Sequence, residues 1–255
     1  MADMTGLRNI DGTREQPMAT VGPIDVSPGL SAAALERARL RTVLATIGIN
    51  VLAVAGFSLA PWSDWRTGVL LNLLDHLILI VHIVRHRDRL MPQLIAFGLA
   101  LGFVELAADA WLVDVTRTLD YSIGGGPMLW RSPIWMPFAW EIVAVQFGYV
   151  GLRLGERFGW RGILLTGFLG ALNIPFYEEM ARRTHWWLYD HCRMFLHTPY
   201  YIIAGEFAVC ALIAAVAPLL RRERLALALA LGALCGLGIF ASYAAAYLLI
   251  DGIPA

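Results

Sequence analysis

Seven long apolar segments, each near the ~20 residues a helix needs to cross ~30 Å of hydrocarbon, decide what this chain can become. They fall at about 41–60, 67–84, 92–112, 133–152, 161–180, 199–219 and 225–249. Only helices and closed barrels satisfy their own backbone in lipid, and these runs lack the period of two that barrel strands need. The expected fold is therefore all-α: a polytopic transmembrane helical bundle of about seven spans over 34–255. A polar, flexible cytosolic tail, 1–33, precedes it. Charged residues make up only 16% of the chain, against about 25% in a soluble domain. The formal net charge is zero, which leaves no basic footprint for nucleic acid.

Arginine sets the orientation, since all 20 basic residues are Arg. With the N-terminus inside, the inner segments hold Arg37, Arg39 and Arg41, then Arg85, Arg87 and Arg89, then Arg153, Arg157 and Arg161, then Arg221, Arg222 and Arg224. The outer loops hold only Arg66, Arg117, Arg131, Arg182, Arg183 and Arg193. This follows the positive-inside rule. The expectation is an integral protein of a bacterial inner membrane, N-terminus cytoplasmic and C-terminus outside.

Inside these spans lie carboxylates, each costing about 2.5–3.5 kcal/mol to insert at a span centre. At about 1.5 Å per residue, Glu105 lies about 10 Å and Asp109 about 5 Å below the outer boundary, Glu141 about 12 Å and Glu206 about 10 Å. Glu178 and Glu179 end the fifth span just under the same surface. Four helices thus bring acid to one layer. Glu105 and Asp109, four apart, share a helix face. Glu178 and Glu179 point about 100° apart, so one of them faces the bundle, and Glu178 is the better candidate. Neighbouring buried carboxyls share a proton, one acting as acid and the other as base. The competing reading for each is a structural hydrogen bond or an ion pair with Arg.

Aromatics surround this layer: Trp111, Trp130, Trp135 and Trp140 flank one outer loop, Trp186, Trp187, Tyr189, Tyr200 and Tyr201 the other. They read either as an interfacial belt or as a cage whose ring faces attract a carbocation. Both loops, 113–132 and 181–198, are long enough to be lids or binding elements. Histidine supplies a rival chemistry. His76 beside Asp75 forms a buried polar pair or a relay, and His82 and His86 share a face at the inner end. No HExxH or CxxCH spacing accompanies them, so no metal and no cofactor is expected. Cys192, Cys210 and Cys235 read as small core residues.

The stretch from Glu105 through Asp120-Tyr121, Gly126-Pro127 and Pro133 to Trp140 resembles a pattern in carotenoid hydratases. There an intramembrane Glu precedes a loop with Tyr and Pro and an apolar helix carrying Trp. Pro175 to Glu178, Trp186-Trp187-Leu188-Tyr189 and Thr198-Pro199 to Glu206 are similar to the second half of that pattern. The integral-membrane lycopene cyclases have a related shape, and small membrane terpene cyclases a similar size. The chain departs in having Glu178-Glu179-Met180 where Asp-Pro is expected, and in lacking a Phe-Gly loop after Glu105.

The resemblance implies chemistry on an isoprenoid double bond: protonation to a carbocation, then hydration, cyclisation or isomerisation. Glu105 would donate the proton, tuned by Asp109, with Glu206 and Glu178 as base. Trp111, Tyr121, Trp140, Glu141, Tyr177, Trp186, Trp187 and Tyr201 would bind the substrate. Its partners would be a lipophilic isoprenoid and the bilayer, and nothing in the residues sets an oligomeric state. Two other classes compete. A small proton-coupled carrier would show repeat symmetry and broken helices, hinted at only by Gly170 to Pro175. A non-catalytic membrane subunit would need its acids only for assembly.

Overall fold

The computed structural model describes residues 31–252, so the expected tail lies almost wholly outside the described residues. Seven helices form the bundle: α1 Ala32–Phe57, α2 Trp65–His86, α3 Leu90–Trp111, α4 Met136–Phe158, α5 Trp160–Arg183, α6 Tyr200–Val216 and α7 Leu225–Ile250. Five of them, α1, α2, α3, α6 and α7, are long and apolar enough to cross a membrane. Among the residues that α4 and α5 turn inward are polar ones, Glu141, Gln146 and Glu178 buried and Asn173 partly so, and these dilute their hydropathy. Apolar side chains such as Leu52, Val84, Leu172 and Leu249 point outward instead, as lipid-facing surfaces do.

Local chemistry fixes the ends. Ser31 caps α1 by accepting from the Ala34 amide at 3.2 Å, so Ala32 and Ala33, expected in the tail, already belong to the helix. Asp64 caps α2 through the Arg66 amide at 2.8 Å. Pro137 occupies the first turn of α4, where no amide partner is missed. A single residue, Gly159 at φ 59°, turns the chain from α4 into α5, a conformation that glycine adopts without cost. Pro175 sits inside an unbroken α5, so the break expected near Gly170–Pro175 does not occur.

The helices approach closely where they are small. A Cβ on Gly102 would collide with the Pro137 carbonyl of α4, and one on Gly98 with the Glu141 backbone at 2.7–2.9 Å. Close backbone contact of this kind holds membrane helices together where no hydrophobic drive separates them from lipid. Gly102→Ala is expected to destabilise by about 1–3 kcal/mol, the cost of overpacking. Gly48→Ala meets nothing within 4 Å and should gain helix propensity, up to about 1 kcal/mol. Denaturant midpoints in detergent will separate the two.

At one end of the bundle, the two long connections are joined. After α3 the chain widens into a π-helical turn, Leu112–Thr116, closed by Arg117 at φ 57°. Short ladders follow, β1 Leu119–Asp120, β2 Met128–Leu129 and β3 Ser132–Pro133, then β4 Leu188–Tyr189, β5 Met194–Phe195 and β6 Thr198–Pro199. β1 pairs antiparallel with β4 across the two loops, and β2–β3 and β5–β6 close hairpins within them. The Asp190 amide donates to the Thr118 carbonyl at 2.9 Å. These ribbons are absent from the all-α expectation, because two-residue strands leave no period to read.

The opposite end carries an ionic clamp. Asp88, in the turn between α2 and α3, receives Arg39 Nε at 2.6 Å and Nη2 at 2.8 Å. It also receives His82 Nε2 at 2.9 Å and the Leu90 amide at 2.8 Å. Thr42 Oγ1 lies 2.9 Å from His82 Nδ1, so a neutral imidazole can donate to Asp88 and accept from Thr42. His82 is thus committed to structure. The His86 ring lies tilted beside it at 4.8 Å.

Candidate active site

Glu105 and Asp109 on α3, Glu178 on α5 and Glu206 on α6 converge beneath the joined loops. Each is buried, from 0% exposed for Glu105 to 5% for Glu206. None of the four forms an ion pair with Arg among the described residues, so that structural reading does not apply to them. Asp109 Oδ2 accepts from both Tyr121 Oη and Ser132 Oγ at 2.7 Å. Glu178 Oε2 accepts from Trp187 Nε1 at 2.6 Å. Glu206 Oε1 accepts from Tyr243 Oη at 2.5 Å, and its Oε2 has Cys210 Sγ at 3.7 Å. Glu105 differs: both of its carboxyl oxygens are buried without a hydrogen bond. Its polar neighbours are Asp109, Glu206 and the Trp140 indole. A satisfied buried group is the rule, and Glu105 is a fully buried exception.

Tyr121 links this cluster to the loops. Burial, then the Asp109 and Glu105 carboxyls, pushes its phenol well above the usual range, so it remains an O–H donor to Asp109. Its ring also lines a surface cleft with Asp120, Trp130 and Arg131.

Beside the acids lies a cavity of about 150 Å³. Its roof is a cluster of indoles: Trp135 and Trp186 are 5.3 Å apart, and Trp186 and Trp187 6.0 Å. Trp186 Nε1 is anchored to the Asp64 carbonyl and Thr67 Oγ1, both at 3.0 Å. Gly68 makes room for Trp135, whose ring would lie 2.7 Å from a Cβ there. Trp140, Tyr177, Trp186, Trp187 and Glu206 line the cavity. Glu105, Asp109 and Glu178 stand behind this wall, with Trp140 between Glu105 and the space.

Four residues expected to bind substrate are placed elsewhere, Tyr121 on Asp109 as described and three others. Glu141 turns about 100° from Trp140 along α4 and meets His76 Nε2 at 3.1 Å. Trp111 packs between helices, edge-on to Phe240 at 5.9 Å and Tyr247 at 5.5 Å. Tyr201 shares a hydrogen bond with Thr118 Oγ1 at 2.7 Å and stacks on Tyr247. The expected Asp75–His76 pair is also split, since His76 faces Glu141 and the Asn72 carbonyl while Asp75 lines the cavity. Glu179, the discarded neighbour of Glu178, pairs with Arg182, Arg183 and His197 at the surface.

Sequence reading missed Ser132 and Tyr243, and it gave Asp75 no place on the cavity wall. Tyr243 had a signal: a phenol amid Ala in an otherwise hydrocarbon span, which needs a partner. Among the described residues, no group of three or more His, Cys, Asp or Glu is placed to hold a metal ion.

No curated protein and no solved structure matches this chain. A family model, the domain of unknown function DUF6989, matches residues 106–250. That is more than half of the sequence, and it includes Asp109, Glu178 and Glu206 together with both capping loops. The chain belongs to the DUF6989 family.

Proposed function

We propose that this protein is an integral-membrane enzyme that acts on an isoprenoid double bond by acid–base chemistry, through a carbocation. The observation that carries the reading is the cluster of buried acids, unpaired by Arg, against an aromatic-roofed cavity. Carboxyl groups gathered in a dry site share protons, so the cluster can both give and take one. Glu206, the cluster member on the cavity wall, makes the transfer to substrate. Glu105 and Asp109 stand behind it as the proton store, a change from the direct donor role expected of Glu105. Tyr121 and Ser132 position Asp109, and Tyr243 positions Glu206.

In the reaction, the carboxylic proton adds to one alkene carbon and the π pair becomes the new C–H bond. The tertiary cation left on the other carbon sits against the faces of Trp140 and Trp187, an attraction of about 0.5–2 kcal/mol. Water then adds and loses a proton; or a second double bond closes a ring and the new cation loses a neighbouring C–H proton; or the first cation loses such a proton directly. In each case the proton returns to a carboxylate, so no co-reactant other than water is consumed. The cavity, about 150 Å³, is smaller than the ~300 Å³ at the lower end of ligand sites, so it takes only part of a long chain.

The same proposal places all seven helices across a bacterial inner membrane, N-terminus cytoplasmic and C-terminus outside. The Arg asymmetry supports the orientation. Exposed Phe168 and Leu172 on α5 support counting that polar helix as a span.

Lipid extracts of a polyisoprenoid-producing host, with and without the protein, test the reaction. A product heavier by one water means hydration, and an isobaric product with shifted retention means cyclisation or isomerisation. Unchanged extracts across several isoprenoid backgrounds would overturn the reading.

A further inference from the structure

The cavity has a second polar wall, contributed by α1 and α2, whereas Glu206 comes from α6. Asn50, Asn72 and Asp75 line it. Asp75 is 2% and Asn50 7% exposed, and Oδ1 of each is buried without a hydrogen-bond partner. The Asn50 side chain hydrogen-bonds to the Asp75 carboxyl, which leaves one oxygen of each residue without a donor, and the Tyr177 phenol lies close to Asp75. His76, next in sequence, is occupied by Glu141. No Arg reaches Asp75 among the described residues. Buried acceptors left without a donor cost about 1–3 kcal/mol each, and structures keep few of them. Here two lie side by side on the wall of one cavity.

Both unpartnered atoms are acceptors, a carboxyl oxygen and an amide oxygen, so what they lack is a donor. The rest of the lining is aliphatic and aromatic: Val54, Leu71, Trp140, Phe147 and Ile174. A hydrocarbon chain ending in an O–H group supplies one such donor. We propose that the cavity binds an isoprenoid alcohol, its hydroxyl donating its single proton to Asp75 beside Asn50 and its chain running toward Trp140 and Glu206. The isoprenoid part rests on the function proposed above, and the hydroxyl rests on these two residues alone. The substrate is then no bare hydrocarbon. Asp75 anchors it by the end that does not react, and α1 and α2, outside the family match, set that choice.

Binding can be read without turnover. The full chain in detergent micelles is titrated with farnesol, with farnesene (the same skeleton without the hydroxyl) and with farnesylamine. Quenching of the cavity tryptophans reports occupancy, and the thermal midpoint serves as a second measure. Farnesol is expected to bind about tenfold more tightly than farnesene, one hydrogen bond's worth. Asp75→Leu should erase that advantage and leave farnesene binding unchanged. Asn50→Leu gives the same test if Asp75→Leu fails to fold.

Equal binding of farnesol and farnesene would overturn the hydroxyl site and leave the isoprenoid reading standing. So would an advantage that survives in Asp75→Leu. Farnesylamine binding above farnesol would replace the alcohol by a cationic ligand. Binding of none of the three would overturn both readings.

Discussion

Glu206→Gln is expected to lower product formation by about 10²–10⁴-fold, the range for removing a positioned acid–base group, with membrane abundance unchanged. The amide keeps the shape of the carboxyl and still accepts from Tyr243, which donates at 2.5 Å in the wild type. Packing around Gly205 and Cys210 is therefore left alone, and besides the exchangeable proton only the weak Cys210 Sγ contact at 3.7 Å changes. Glu105→Gln should follow it in direction, because Glu105 has no hydrogen bond to lose and its removal takes away only a proton-sharing partner. Tyr121→Phe should reduce the rate less, since Ser132 still donates to Asp109. Product quantified per unit of membrane protein separates catalysis from assembly. If abundance falls in Glu206→Gln before product does, the acids serve folding, and the chain is a subunit rather than an enzyme.

This order of effects could not have been written from the sequence, although the acid layer could. Depth counting placed Glu105, Asp109, Glu141, Glu178 and Glu206 in one layer, because helix rise is fixed and an acid in hydrocarbon stands out, but it could not tell that Glu141 turns to His76. The facing of aromatic and small polar residues was lost for a physical reason. A helix that touches lipid outside and protein inside is apolar all round, so no periodic stripe marks its inner face. Trp140 and Glu141 are adjacent, yet one lines the cavity and the other meets α2. Asp75 and His76 divide in the same way. Trp111 and Tyr201 looked like cage residues by position alone, but their partners, Tyr247 and Thr118, come from distant parts of the chain. The β1–β4 pairing that brings both loops over the site spans about seventy residues and has no local signature.

The largest stability effect is expected far from the chemistry, at Asp88. Its side chain is fully buried, and the Arg39 side chain it pairs with is only 12% exposed. Removing the carboxylate in Asp88→Ala leaves Arg39 with Glu36 alone, frees His82 Nε2, and strips the Leu90 amide of its cap. Breaking one side of a buried pair costs about 3–5 kcal/mol, measurable as a lowered denaturant midpoint in detergent.

The pH dependence carries a sign that distinguishes this clamp from a packing defect. Burial alone would raise the Asp88 carboxyl, but the hydrogen bonds from His82 and Arg39 and the Arg39 charge outweigh it and hold it well below the usual range. A carboxyl depressed in the folded state contributes fully above its unfolded value of about 3.9 and loses that contribution as pH falls toward the folded value. The gap between wild type and Asp88→Ala should therefore stay constant from pH 8 to about pH 5 and narrow only below about pH 4. A gap that does not change at any pH would assign Asp88 to packing. A gap that closes already near pH 6 would mean that a histidine, and not this carboxylate, holds this end of the bundle together.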